Sequence, residues 1–303
     1  MHKKHLILLV LTGVFLAALM SPGTVRALNI ERISGADRFE TSVNFSKRFF
    51  GESSVTTVVI SGGYGTETGG VAWSPDVACA ASLASFLQSP LLLTRKDAIP
   101  PAINEELKRL NPEEVILVGG WGAISENVAR SLVDQGFKVR RIWGVDRYHT
   151  SAMVAQFMAI VAGKSPEGAI IVTGENFPDT ISAAYLSGSN GWPLLLTKKN
   201  NLPFPVRAAL NSLNISKTLV IGGEGAVAET VATSLPQPER IAGKNRYETS
   251  LKVAEYAIFN LGFSTSSIFL VSGLTFADGI VASPCAGRKG ICVLLVSQED
   301  QGL

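Results

Sequence analysis

The sequence predicts an α/β protein built from three tandem copies of one unit, each a parallel sheet with helices on both faces. Three observations carry that prediction. First, a signature recurs: Arg32-Ile-Ser-Gly-Ala-Asp-Arg-Phe-Glu-Thr-Ser42, Arg141-Ile-Trp-Gly-Val-Asp-Arg-Tyr-His-Thr-Ser151 and Arg240-Ile-Ala-Gly-Lys-Asn-Arg-Tyr-Glu-Thr-Ser250. Second, other blocks follow it in fixed order. Ser74-Pro75-Asp76, Phe177-Pro178-Asp179 and Phe276-Ala277-Asp278 each open an Ala-rich stretch, and each stretch leads to an apolar run at Leu91-Leu92-Leu93, Leu194-Leu195-Leu196 or Val293-Leu294-Leu295. Third, short β-branched runs alternate with longer amphipathic or Ala-rich segments, the pattern of buried parallel strands joined by crossover helices. Repetition at this period marks an array of similar units.

Within the first unit the elements follow in order. Asp37 stands as a helix N-cap with Glu40 three residues on, a capping box. Asn245 and Glu248 repeat it, and the second unit has His149 in place of the Glu. Val55 to Ser61 reads as a strand buried on both faces, Asp76 to Gln88 as an Ala-rich helix, and Pro90 to Thr94 as a second buried strand. Pro101 to Leu110 is a helix with Pro in its first turn. Val115 to Val118 is a third strand, followed by a helix from Ser125 to Val133 and a fourth strand from Lys138 to Ile142. A Gly-Gly turn follows the third strand at Gly119-Gly120 and again at Gly222-Gly223. Gly62 to Asp76 is nine residues longer than Gly174 to Asp179, so the first unit carries a Gly-rich insertion holding Tyr64 and Trp73. Loops on a rigid scaffold collect binding residues.

Composition narrows the function. The 303 residues carry Lys+Arg 27 against Asp+Glu 25, a formal charge of +2, which excludes a strongly basic nucleic-acid binder. A short basic stretch, an apolar run from Leu6 to Met20, the breaker Ser21-Pro22-Gly23 and Val25-Arg26-Ala27 read as a secretory signal over residues 1–27. The run is short for a bilayer span, which needs about 20 residues. Cleavage would remove Lys3, Lys4 and Arg26, leaving 24 basic against 25 acidic residues, net −1. It would also leave His149 as the one histidine, which argues against catalytic triads and His-based metal sites. Cys79, Cys285 and Cys292, set among small apolar neighbours, read as buried thiols, with a Cys285–Cys292 disulfide as the alternative.

The expected organisation is a signal at 1–27 and repeats at 28–138, 139–237 and 238–303. The third repeat is incomplete: after Val296 only seven residues remain, where the earlier repeats continue through a third helix, a third strand and a last helix. A sheet ending there exposes an apolar edge strand, and a truncated gene product is the expectation.

The repeated Arg-Ile-x-Gly-x-Asp/Asn-Arg-Tyr/Phe-x-Thr-Ser, the Asp before an Ala-rich helix, the Leu-Leu-Leu strand and Gly-Gly-x-Gly-Ala together resemble the second type of cell-wall-binding repeat. That family occurs as tandem triplets in clostridial surface-layer and cell-wall proteins and beside the amidase domain of bacillary autolysins. The resemblance covers residues 30 to 297. It implies a Rossmann-like (Toprim-like) module, three of which pack around a pseudo-threefold axis, and non-covalent attachment to an anionic wall glycopolymer. It implies no cofactor. An Ile-Leu-Leu tripeptide linked to anchoring in clostridial members falls on the three apolar strands, none of which is Ile-Leu-Leu here.

Those leucines belong to a buried strand and read as core. The candidate polymer contacts are the charges just past it, Arg95-Lys96 and Lys198-Lys199, on the side where open α/β sheets bind ligands. The third copy has Gln298-Glu299-Asp300 there. Arg38, Arg147 and Arg246 can engage phosphate or carboxylate through paired hydrogen bonds, or else form inter-repeat or helix-cap salt bridges. Tyr64 and Trp73 complete the set. Asp76, Asp179 and Asp278 suggest catalysis by recurrence, with helix N-capping as the plainer explanation. Two other functions compete with anchoring. One is the targeting part of an N-acetylmuramoyl-L-alanine amidase whose catalytic domain lies outside this chain. The other is nucleotide binding, from the G-x-G-x-x-A string Gly223 to Ala228, which follows the third strand of its unit instead of the first.

Overall fold

The computed structural model describes residues 29–51, 55–62 and 74–297. The signal-like segment 1–27, Tyr64, Trp73 and the run from Gln298 onward lie outside them. A short N-terminal unit, in which residues 29–33 carry no helix or strand, precedes the unit that begins at Ser34. None of the described helices is long and apolar enough to cross a membrane.

The last strand of each of the first two sheets runs past the expected boundaries at 138 and 237, because it pairs with the strand before it. The first repeat contains α1 (Arg38–Phe49), β1 (Thr57–Gly62), α2 (Pro75–Leu87), β2 (Leu91–Thr94), α3 (Pro101–Leu110), β3 (Glu114–Val118), α4 (Glu126–Asp134) and β4 (Lys138–Ile142). The second has α5 (Arg147–Ala162), β5 (Gly168–Thr173), α6 (Pro178–Ala184), α7 (Ser187–Asn190), β6 (Leu194–Thr197), α8 (Phe204–Ser212), β7 (Lys217–Ile221), α9 (Glu229–Ala232) and β8 (Pro238–Ile241). The third has α10 (Arg246–Leu261), β9 (Ser264–Ser272), α11 (Ala277–Lys289) and β10 (Ile291–Val296). Every strand pairing is parallel. The sheets run β2-β1-β3-β4, β6-β5-β7-β8 and β10-β9. Central strands are buried on both faces, whereas the edge strand β4 alternates exposed and half-buried residues.

The registers refine the repeat alignment. Gly62 pairs with Thr94 as Thr173 pairs with Thr197. Gly62 is therefore the counterpart of Thr173, not Gly174, and the insertion is one residue shorter than the glycine spacing suggests. The Ala-rich stretch of the second repeat is also not one helix. Leu186 N–H turns back to Ala183 and Gly188 N–H to Tyr185, three residues earlier, which tightens the chain and separates α6 from α7.

Small residues let the three repeats meet. α2, α6–α7 and α11 pack on one another, and the same repeat position in each, Ser85, Gly188 and Gly287, converges at the pseudo-threefold axis. A Cβ at Gly188 would lie 3.0 Å from the Gly287 Cα and the Ser85 carbonyl oxygen, so a larger residue there would force the helices apart. Nearby, the Ser82 and Ser187 hydroxyls are 2.8 Å apart, and Ser82 Oγ accepts a hydrogen bond from Leu194 N–H, tying the first repeat to a strand of the second. Cys79, Cys285 and Cys292 are buried free thiols.

Candidate functional site

Most of the signature proves to be framework. Asp37 accepts from the N–H groups of Phe39 and Glu40, while Glu40 reaches back to Ala36 N–H. Asn245 and Glu248 do the same at Glu248 N–H and Lys244 N–H. In the second repeat Asp146 caps His149 N–H, and His149 Nδ1 accepts from Val145 N–H at 3.4 Å, filling the role of the missing glutamate. The threonine closes the turn, since Thr41, Thr150 and Thr249 each accept from the signature glycine's N–H. The serine holds the second strand: Ser42, Ser151 and Ser250 accept from Leu93, Leu196 and Leu295 N–H. The first arginine clamps the Gly-Gly turn. Arg141 donates to the carbonyls of Gly119, Ile124 and Ser125, and Arg240 to Gly222 and to Glu229.

The second arginine behaves differently. Arg147 donates to Gly174 O and Arg246 to Gly273 O, so each lies across the C-terminal end of its own central strand. From there each acts on an aspartate of a neighbouring repeat: Arg147 on Asp76, Arg246 on Asp179, and Arg38 on Asp278. These three seams close a ring. Arg38 also stands over the Phe276 ring and Arg246 over Phe177, at 5.7 and 5.9 Å from the centroids. Each of the three arginines thus faces a neighbouring repeat through its charge, and Arg38 and Arg246 also through a phenylalanine ring.

The aspartates are not N-caps. Ser74, Phe177 and Phe276 occupy the cap positions without side-chain capping bonds, and each Asp sits two residues into its helix. Each carboxylate instead feels the charge of an arginine from a neighbouring repeat. Burial raises the Asp179 pKa to about 6, with Arg246 opposing the shift. Burial likewise raises Asp76, against a hydrogen bond from Thr150 and the charge of Arg147, and raises Asp278, against Arg38. The first glycine of each Gly-Gly turn accommodates its aspartate. Gly119 and Gly222 have φ of +129° and +111°, and a Cβ at Gly222 would lie 2.5 Å from Asp179 Oδ2. Close packing does not explain Gly223 and Gly225, whose Cβ positions face open space.

The basic strand ends are solvent-facing. Arg95, Lys96, Lys198 and Lys199 are exposed immediately after β2 and β6. Arg95 lies over Phe39, 4.9 Å from the centroid, and Lys198 over Tyr148 at 5.6 Å. Arg147 and Lys198 both lie near the Tyr148 ring; Lys96 and Lys199 contribute main-chain carbonyls that accept from Ser125 and Ala228 N–H. Just beyond Arg95-Lys96, a surface hollow of about 460 Å³ is lined by Asp97, Asn104, Asn127 and Gln135. A second cleft, of about 260 Å³, opens at the seam of the first and second repeats around Ser74, Asp76, Asp146, Arg147 and Thr150. Next in sequence to its lining residues Gly120, Gly122 and Gly144, the indoles of Trp121 and Trp143 meet edge to face with centroids 4.2 Å apart. Reading the sequence missed this pair; tryptophans standing where the other repeats have Glu224, Ser34 and Ala242 were the available signal. Among the described residues no group of three or more His, Cys, Asp or Glu is placed to hold a metal ion.

Parallel α/β repeats that meet at three arginine–aspartate seams define a tandem α/β repeat protein. The profile of the Cell wall binding domain 2 (CWB2) family matches residues 32–129, 141–232 and 240–303, and the chain belongs to that family. It is 31% identical over 292 residues to N-acetylmuramoyl-L-alanine amidase LytC of Bacillus subtilis (strain 168), covering 96% of this chain and 55% of that protein. It is 28% identical over 222 residues to the Amidase enhancer of the same organism, covering 72% of this chain and 29% of the relative. Among solved structures, Cwp6 from Clostridium difficile superposes with a TM-score of 0.76 at 26% identity, over 92% of this chain and 44% of its own. Cwp8 from the same organism gives 0.76 at 25%, over 95% and 47%.

Proposed function

We propose that this chain is an exported, non-catalytic module that holds a surface protein non-covalently on an anionic secondary polymer of the cell wall. In this reading residues 1–27 are a cleaved signal, the three repeats pack within one chain, and the protein resides at the cell wall. The single observation that carries it is the threefold match to a cell-wall-binding family across the chain. Arg95, Lys96, Lys198 and Lys199 are the proposed solvent-facing polymer contacts, together with Tyr64 and Trp73. Arg38, Arg147 and Arg246 hold the seams and lend positive charge to the same end of the sheets. Exposed cations at strand ends bind an anionic chain through contacts that salt screens over about 10 Å at 0.1 M.

Purified walls provide the test, before and after extraction of the secondary polymer. The protein should sediment with intact walls, elute as salt rises, and stay soluble with extracted walls. Replacing Arg95, Lys96, Lys198 and Lys199 together by glutamine should lower retention and flatten its salt dependence. Retention that survives polymer removal would overturn the reading. The similarity to LytC, of which this chain spans 55%, favours one second reading: the targeting part of an amidase whose catalytic part lies outside this chain. In zymography on wall substrate the chain alone should then leave no clearing, and a clearing band would assign it catalysis.

A further inference from the structure

The three seams share one plan and differ at one position. The residue two before the aspartate is Phe177 in the second repeat and Phe276 in the third, and each ring lies beneath the arginine of a neighbouring repeat. In the first repeat that residue is Ser74. A cleft of about 260 Å³ stands at this seam, lined by Ser74, Asp76, Asp146, Arg147 and Thr150. Ser74 is 1% exposed, and its hydroxyl has no hydrogen-bond partner among the described residues. A buried hydroxyl left without a partner is unfavourable unless something outside the chain completes it.

The tryptophan pair stands beside this cleft, with Trp143 3.7 Å from the position a Cβ would take at Gly120, a lining residue. Gly120, Gly122 and Gly144 line it, and they are the sequence neighbours of Trp121 and Trp143. Both indoles are large apolar groups left at the surface, 46% and 37% exposed. Neither is needed by the fold, since the equivalent positions hold Glu224 and Ala242 in the later repeats. Trp121 is held in place by Nε1–H donating to Glu126 at 3.1 Å and by the Arg141 guanidinium 5.4 Å from its ring centroid.

We propose that the seam between the first and second repeats is a sugar subsite that takes one hexopyranose unit of a wall polysaccharide, against the Trp121–Trp143 pair and with its hydroxyls in the Ser74 cleft. The chemistry selects a sugar over a bare anion. The cleft holds two carboxylates, Asp76 and Asp146, against one guanidinium, Arg147, which disfavours phosphate but accepts hydrogen bonds from hydroxyls. A pyranose ring presents a face of C–H groups, apolar and slightly positive, which suits the electron-rich indole face. The subsite rests on the wall-binding reading and deepens it: basic strand ends attract the polymer's charge, and this seam recognises a ring.

Ser74→Phe tests it by giving this seam the residue of the other two, which fills the cleft in a way the fold already tolerates. Trp143→Ala, with the residue found at Ala242, is the second variant, and thermal melts establish that both fold. The probes are intact walls, oligosaccharides released from the purified wall polymer by mild acid, and inorganic polyphosphate as a sugar-free polyanion. With the oligosaccharides the intrinsic tryptophan emission should shift to the blue. Each variant should bind walls and oligosaccharides about tenfold more weakly, the size of one aromatic contact. Neither should change affinity for polyphosphate. Equal retention of both folded variants on walls, with unchanged emission, would overturn the subsite and leave wall binding intact. Failure of the unsubstituted protein to sediment with walls would overturn the wall-binding reading and this proposal with it.

Discussion

β5 and β9 occupy the same place in successive repeats, yet their surroundings differ. β5 lies between β6 and β7 and is buried along its whole length, whereas β9 pairs with β10 alone among the described strands. Its outer edge leaves Ile268 and Leu270 47% and 56% exposed. The same absence reaches the seam. Asp179 and Asp76 each have a Gly-Gly turn of their own repeat against them, at Gly222 and Gly119. Asp278 has no such turn among the described residues and is more exposed than Asp179, although burial still raises its pKa. Burial of a strand and of its seam aspartate is therefore a property of the third strand and its turn, not of the strand's own sequence.

The largest expected effect separates two equivalent residues. Ile171 and Leu270 pair with the equivalent Leu195 and Leu294 in matching registers. Truncating the buried Ile171 to Ala should destabilise by about 2–5 kcal/mol, and truncating Leu270 by less than about 0.5 kcal/mol. Chemical denaturation of the two variants measures both. Equal losses would mean that the outer edge of β9 is covered in solution, and the comparison would fail.

The next prediction concerns pH. The Asp179 pKa rises from the ordinary aspartate value of 3.8 to about 6 in the fold. The folded state thus binds more protons than the unfolded state between those values. Stability is greatest below the lower value, falls as pH rises to about 6, and is flat above it. The span is on the order of 3 kcal/mol. The melting temperature should therefore rise on mild acidification from pH 7 to pH 5. Asp179→Asn, which carries no charge, should be more stable than the parent at pH 7 and should lose part of the slope, the remainder belonging to Asp76 and Asp278, which burial also raises. Asp278→Asn, at the more open seam, should reduce the slope less than Asp179→Asn does. A slope undiminished in Asp179→Asn would place the titration elsewhere.

Much of this was legible because repetition aligns positions that single-segment reading leaves ambiguous. The strands, their parallel pairing, the capping boxes and the apolar edge left by the third copy all follow from block order and residue type. Local signals also misled. Asp76, Asp179 and Asp278, each near the start of a helix, look like caps, and only closure of the ring shows that they serve a neighbouring repeat. Contacts such as Arg147 with Asp76 join residues 71 positions apart in sequence, and no periodicity reports them. Gly223 and Gly225 drew attention as a motif, while the constrained glycine is Gly222, whose positive φ and contact with Asp179 are properties of the folded seam. Both β2 and β4 are edge strands, yet β2 is buried along its whole length, with the first helix of its repeat packed on it, whereas β4 alternates exposed and half-buried residues.

The smallest expected difference lies where the repeats are equally complete. Ser151 Oγ accepts from Leu196 N–H at 3.2 Å, and Ser250 Oγ from Leu295 N–H at 3.1 Å. Both serines also donate back to a carbonyl one turn earlier, that of Tyr148 or Tyr247. These bonds join the first helix of a repeat to its second strand, and neither element needs the third strand. Changing either serine to Ala leaves one buried N–H without its acceptor, which costs about 1–3 kcal/mol. The two losses should agree within about 0.5 kcal/mol in denaturant titrations, although one lies in a four-stranded repeat and the other in a two-stranded one. A much smaller loss for Ser250→Ala would show that the third repeat is loosened down to its first helix. Agreement would confine the difference between repeats to the outer edge of β9 and the open seam at Asp278.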